Sequence, residues 1–292
     1  MQNSLPTILG TGLSGLIGSK ISDLYQDKYN FVNLDISHPT NPVDITHFDQ
    51  VKRALDTEAE YVLHCAAFTD VTKAWEQKDD TSGLAYKVNV LGTQNIVAAC
   101  QQTGKHLLHI STAYVFDGEK EGLYSESDLT SPIEWYGQTK ALAEEAVQAS
   151  NGAWTILRID QPFRSDPFPR KDLVHRVISG LENDSLPPLF INHFFGPTFI
   201  DDFAQVIDWV IRTKTTGLFH ASSGEKWTDF EFGKAIQTAL NLSGEVKPGK
   251  LEDYLKKLSR PYQRNTALDN SKLVTALDFE LTPIREALRL VR

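Results

Sequence analysis

Cysteine, basic charge and long apolar runs are all scarce in this chain. Its 292 residues include two cysteines, Cys65 and Cys100. Cys65 lies in an apolar strand pattern and Cys100 at the end of a helical one. Buried free thiols are therefore expected rather than a disulfide framework, which fits a reducing, cytoplasmic setting. Eight histidines show no metal-ligand spacing, so no metal site is expected. No apolar stretch is long enough to span a bilayer. The N-terminus lacks the basic region and apolar run of a secretory signal. Lysine and arginine number 29 against 38 acidic residues, a net charge of −9. That balance argues against nucleic acid or an anionic membrane as the main partner. It leaves a nucleotide ligand open, because such a ligand needs only local donors.

What is present is an alternation of two periodicities. Strand patterns at 7–10, 31–35, 61–66, 107–111 and 154–159 are separated by helical patterns at 16–25, 48–55, 85–101 and 133–149. Such alternation predicts an α/β fold with a Rossmann-type, doubly wound parallel sheet covered on both faces. After Ile159 the rhythm breaks. Residues 161–171 hold three prolines and three basic residues, a loop in character. Helices are expected at 173–181, 199–211, 228–240, 251–258 and 283–290, with a strand at 217–221. The division expected is a dinucleotide-binding domain over 1–160 that also takes in about 198–222. Residues 161–197 and 223–292 then form a small C-terminal α/β part that walls a cleft.

Between the first strand and first helix runs Gly10-Thr11-Gly12-Leu13-Ser14-Gly15-Leu16-Ile17-Gly18. Two glycine frames overlap, G-x-G-x-x-G and G-x-x-G-x-x-G, in the strand-to-helix context where the motif has meaning. Glycines allow the backbone to approach a pyrophosphate, and the helix start presents N–H groups and a positive dipole end to it. Gly12, Leu13, Ser14, Gly15, Leu16 and Ile17 are accordingly the expected contacts. Asp35 closes the second strand pattern, 20 residues past Gly15, placed to accept ribose hydroxyls and repel a 2′-phosphate. No Arg or Lys stands among Ile36, Ser37 and His38, which favours NAD over NADP. Asp44-Ile45 is placed to frame an adenine, or Asp44 simply caps a helix.

Tyr136 and Lys140 stand four apart in a helical pattern, hence on one face. An ammonium beside a phenol is expected to lower its pKa and ready it for proton transfer. Ser111-Thr112 ends an apolar strand, where open α/β sheets bind their ligands. Asn89 is expected either to hold Lys140 through water or to bond backbone. Arg164, Arg170 and Lys171 suit a diphosphate or a solvated loop.

Together these residues resemble the extended short-chain dehydrogenase/reductase family. The resemblance spans nearly the whole chain, adding Ala66-Ala67 to the cofactor segments. It implies NAD or NADP as cofactor, Tyr136 as catalytic acid/base, Lys140 on the nicotinamide ribose, and Thr112 polarising a carbonyl. Four segments are most similar to the dTDP-4-dehydrorhamnose reductases: 66–74, 111–118, Gly196-Pro197-Thr198, and Arg260-Pro261 with 268–273. That likeness implies a nucleotide-sugar substrate, with Thr69 and Tyr114 lining the sugar site and Arg260 near the nucleotide phosphates. The same segments resemble the non-catalytic regulatory subunit of methionine adenosyltransferase. The chain departs from the reductase pattern at Ala113, where Asp is usual, at Gln161, where an aromatic faces the sugar, and at Asn192-His193-Phe194-Phe195. The expected activity is reduction of a 4-keto nucleotide sugar. The alternatives are an epimerase or dehydratase of the same family, or a dinucleotide-binding regulatory subunit. A homodimer is left open.

Overall fold

The computed structural model describes residues 5–292; residues 1–4, where the expected first domain begins, lie outside it. In chain order the first half comprises β1 (Thr7–Thr11), α1 (Leu16–Tyr25), β2 (Asn30–Asn33), α2 (Phe48–Leu55), β3 (Tyr61–His64), α3 (Val71–Trp75), α4 (Leu84–Tyr86) and α5 (Thr93–Thr103). Then come β4 (His106–Thr112), α6 (Trp135–Gln148) and β5 (Trp154–Ile159). Short pieces follow: β6 (Pro162–Phe163), α7 (Leu173–Glu182), β7 (Leu189–Phe190), β8 (Phe194–Phe195) and β9 (Thr198–Phe199). Last come α8 (Ile200–Thr213), β10 (Gly217–His220), β11 (Trp227–Thr228), α9 (Asp229–Ala239), β12 (Pro248–Gly249), α10 (Leu251–Leu255), α11 (Ser271–Ala276) and α12 (Ile284–Ala287).

Six strands form one sheet in the order β10-β5-β4-β3-β1-β2. Every neighbouring pair is parallel, as the alternation predicts. The chain moves outward from β1 to β2, then returns across β1 to β3. That reversal leaves a crevice at the carboxyl ends of β1 and β3, where sheets of this kind take ligands. The strands are apolar on both faces because each face is covered. Ile8, Leu63, Leu108 and Leu157 pack with Phe203 and Ile207 of α8. Leu9, Val62, Leu107 and Ile156 pack with Ile96 of α5 and Val147 of α6. A third core, around Phe163, Phe195, Phe232 and Ile284, lies in the C-terminal part.

The expected helix 85–101 is present as one unbroken helical run from Leu84 to Thr103, but it is not α-helical throughout. Lys87–Gly92 forms a π-helical turn between α4 and α5. A Cβ at Gly92 would stand 2.7 Å from the Ile45 side chain, so this turn is pressed against the loop that follows β2. The helix expected at 251–258 ends at Leu255, and that at 283–290 becomes four α-helical residues and a 3-10 turn. Among the described residues no helix is long and apolar enough to cross a membrane. Both cysteines are free thiols, and burial pushes each up to about 12.

Candidate active site

The glycine turn is built by close approach. Gly12 has φ +73°, and a Cβ there would lie 2.5 Å from the Ala66 backbone nitrogen after β3. A side chain at Gly18 would meet the Gly12 carbonyl oxygen at 2.5 Å. Only glycine lets β1, β3 and α1 converge this tightly. Gly15 is the N-cap of α1 and provides no side-chain cap. The first-turn N–H groups at Leu16 and Ile17 thus have no side-chain acceptor, as an anion site at a helix start requires. This cradle fits a dinucleotide diphosphate.

Asp35 is placed differently from the sequence expectation. It lies two residues beyond the end of β2 and is buried. Its carboxylate accepts the backbone N–H of Gly12, of Leu13 at 3.1 Å and of Ser14 at 2.7 Å. A carboxylate has about four acceptor positions, so one remains for a ribose. Its first task is to hold the glycine turn. Asp44 accepts from the Thr46 backbone and hydroxyl at 2.9 and 2.8 Å, a local turn. Ile45 is buried in the apolar core, its carbonyl held by Asn95 at 2.9 Å. Ala66 packs on that same core beside Gly12, and Ala67 follows it at the crevice.

Thr112 is the last residue of β4, opposite Ile159 of β5. Its hydroxyl accepts the Tyr114 N–H at 3.2 Å. Glu134 caps α6, its buried carboxylate accepting from Tyr136 N at 2.8 Å and Gly137 N at 2.7 Å. A Cβ at Gly137 would stand 2.1 Å from the Tyr114 carbonyl oxygen. The missing side chain lets the first turn of α6 press on the Ala113–Val115 turn. Tyr136 and Tyr114 are thereby set edge to face, ring centroids 5.8 Å apart.

The Tyr136–Lys140 expectation needs correction. Lys140 is buried one turn on, but its ammonium points into the sheet. It donates to the Ile110 carbonyl at 2.8 Å and lies 3.2 Å from His109 Nε2. Burial lowers its pKa to about 8, against the opposing charge of Glu144. The Tyr136 phenol is raised above its ordinary value, by burial first and then by the Glu134 charge. The groups that oppose this are the Thr112 hydroxyl and Arg170, not Lys140. The resulting Tyr136 holds its proton at neutral pH, the state a proton donor needs. Asn89 is likewise turned from Lys140. Its amide clamps Phe68 through the backbone N–H at 2.7 Å and carbonyl at 3.2 Å, and donates to Thr139 at 2.9 Å.

On the other wall the 161–171 loop crosses the cleft. Arg170 donates to the Thr69 hydroxyl at 2.8 Å. Arg164 is a structural cation. It is paired with Asp166 at 2.6 Å and bonded to Ser19 of α1 at 2.7 Å, so it is not free for a diphosphate. Gln161 has φ +38°, a strained backbone position for a non-glycine residue. Arg260 is buried, 5.0 Å from the Tyr262 ring centroid, with its Nε 3.4 Å from the Thr72 hydroxyl. Arg260 thus meets α3 at Thr72, three residues after Thr69, and Tyr262, which hydrogen-bonds Tyr114.

Two buried acids here, Asp160 and Glu134, escape the sequence reading; a third buried group, His193, lies in the segment that departs from the reductase pattern. Asp160 is 2% exposed. One oxygen accepts from Gly196 N at 3.0 Å and from Thr266 at 2.7 Å; the other has no partner. Burial pushes this carboxyl up to about 7. Glu134 is raised to about 7 by the same cause. His193 pairs with Asp229 at 2.6 Å and lies 5.2 Å from the Tyr262 ring. A lone acid right after an apolar strand was a visible signal for Asp160; Glu134 bonds locally to Tyr136 and Gly137, and only its burial depends on the fold, while His193 depends on Asp229, distant in sequence. A large cavity of about 1240 Å³ opens elsewhere, at the amino ends of β1–β3, lined by Leu5, Tyr29, Arg53 and Tyr61 among others. It is remote from Thr112 and Tyr136.

This geometry has relatives. The family model for the RmlD substrate binding domain matches residues 6–291. The chain belongs to that family, of the extended short-chain dehydrogenase/reductase type. The dTDP-4-dehydrorhamnose reductase of Aggregatibacter actinomycetemcomitans is 29% identical over 301 residues, covering 98% of each chain. Mouse (Mus musculus) methionine adenosyltransferase 2 subunit beta is 28% identical over 312 residues, covering 97% of this chain and 86% of the other. The crystal structure of a dTDP-4-dehydrorhamnose reductase from Clostridium acetobutylicum superposes with a TM-score of 0.87 at 27% identity, over 98% of each. Relatives of this type include NAD(P)-dependent reductases.

Proposed function

We propose that this protein is an NAD(P)-dependent reductase of a 4-keto nucleotide sugar, acting on a dTDP-linked substrate as its reductase relatives are named for. The observation that carries the reading is the convergence of Thr112, a protonated Tyr136 and the glycine cradle at one end of the sheet. When bound, a reduced nicotinamide would supply the hydride that the sugar carbonyl carbon receives. The cradle of Gly12, Gly15 and the α1 N-terminus binds the diphosphate. Thr112 hydrogen-bonds the carbonyl oxygen, and Tyr136 gives its proton to the alkoxide as it forms. Lys140 holds the nicotinamide ribose. Thr69, Tyr114 and Arg260 bind the sugar nucleotide, with Gln161 at the altered position. Asp35, with one acceptor position left and no neighbouring cation, favours NAD over NADP.

A dehydratase reading is weaker. Ala113, where an acid would be wanted, is fully buried with Val115 and Phe116. The test is a panel of nucleotide-linked 4-keto sugars with NADH and NADPH, followed at the nicotinamide absorbance. Net oxidation with a dTDP-linked 4-keto sugar is expected. Sugar conversion without net oxidation would indicate an internal hydride cycle, and no turnover with a stoichiometric protein partner would indicate the regulatory role.

A further inference from the structure

Beneath the cleft, one layer of the sheet changes character. Leu9, Val62 and Leu107 face the α5–α6 side and are apolar. Two residues further along the same strands, hence on the same face, stand Thr11, His64 and His109. They are register partners, Thr11 opposite His64 and His64 opposite His109. All three are buried. A buried polar row is costly unless its hydrogen bonds close.

The bonds around His64 close with one assignment. The Thr93 hydroxyl donates to the Asn89 carbonyl at 2.7 Å, so it accepts from His64 Nε2–H at 3.1 Å. His64 Nδ1 then accepts from the Thr11 hydroxyl at 2.6 Å. His109 is different. An ammonium has only donors, so the contact of 3.2 Å with Lys140 requires His109 Nε2 to be the acceptor. The proton of neutral His109 must then sit on Nδ1, and that buried atom has no partner. A ring nitrogen left orphaned while the other faces a lysine shows which contact the ring is oriented for.

We infer that His109 is a positioning residue for Lys140: its Nε2 and the Ile110 carbonyl hold two ammonium hydrogens and leave the third N–H for the dinucleotide. This rests on the dinucleotide reading above. The groups facing the ammonium are His109 on β4, His64 and Cys65 on and after β3, and Glu144 on α6 itself. Neutral imidazoles suit the role, because burial and the Lys140 charge both keep His64 and His109 unprotonated. Without the acceptor, the charged ammonium is less favoured and loses its proton at lower pH.

Two measurements test this. Long-range 1H–15N spectra of the imidazoles, on the protein without added ligand, should show His109 as the Nδ1–H form from pH 6 to 9, its Nε2 resonance moving in Lys140→Met. An Nε2–H form, or an unmoved resonance, overturns the inference. The pH dependence of NADH and NADPH fluorescence titrations is then compared for wild type, His109→Gln and His109→Leu. The leucine variant should lose affinity at a pH about one unit lower, with the glutamine variant, which keeps an acceptor, near wild type. Equal midpoints for wild type and the leucine variant overturn it. Failure of wild type to bind either dinucleotide sinks the functional reading instead, and the spectra still decide the lysine–histidine contact.

Discussion

The wall of the cleft carrying Gly12, Thr112 and Tyr136 is made from the ends of regular elements. The facing wall is made from two-residue strands, a crossing loop and buried charges. On the first, each group has its place because β1 and β4 end there and α6 begins there, with glycines at 12 and 137 removing the atoms that would hold the elements apart. On the second, Asp160 binds Gly196 and Thr266, and Arg170 reaches back to Thr69. These contacts join segments about 36 to 106 residues apart in the chain. The regular wall suits chemistry that is the same for every substrate. The irregular wall can change its side chains without disturbing the sheet, as functional loops on a rigid scaffold do.

The comparison can be broken first at Tyr136. Tyr136→Phe removes only the phenol oxygen, so turnover should fall by about 10²–10⁴-fold while reduced-dinucleotide affinity, read by fluorescence, stays near wild type. An equal loss in both would mean the ring builds the wall rather than moving a proton.

A smaller effect is expected at Asp160. Its folded pKa of about 7 lies above the ordinary carboxylate value. The stability this protonation contributes is full below about pH 4 and is lost as pH rises through about 7. Asp160→Asn removes the titration. Urea unfolding at pH 5 and pH 8 should show the wild type losing stability between them, by an amount on the order of a few kcal/mol at most. The variant should show a flatter dependence. The same slope in both proteins would remove Asp160 as the ionisable tie of the substrate wall.

The two walls also differ in how far the chain's own pattern reveals them. Sheet direction, the glycine cradle, Thr112 and Tyr136 follow from local periodicity and spacing, and α2 and β5 have the expected bounds. Spacing also put Lys140 on the same helix face as Tyr136, but not the direction of its ammonium. That depends on the Ile110 carbonyl and His109, brought close only by β4 pairing between β3 and β5. Asp35 was legible as a carboxylate at the cleft, whereas its three backbone donors arise from the fold of the glycine turn. Glu134 and Asp160 look like ordinary acids in the chain. Their raised pKa values come from burial, which no short motif records.

The central claim is that a nicotinamide hydride ends on a sugar carbonyl carbon, with the proton supplied by the protein. The most direct measurement uses reduced dinucleotide carrying deuterium at the transferable C4 position and a dTDP-linked 4-keto-6-deoxy sugar, with the product read by NMR and mass spectrometry. The account predicts one deuterium at the former carbonyl carbon and one oxidised dinucleotide per sugar converted. Unlabelled product, or conversion without net oxidation, would contradict it.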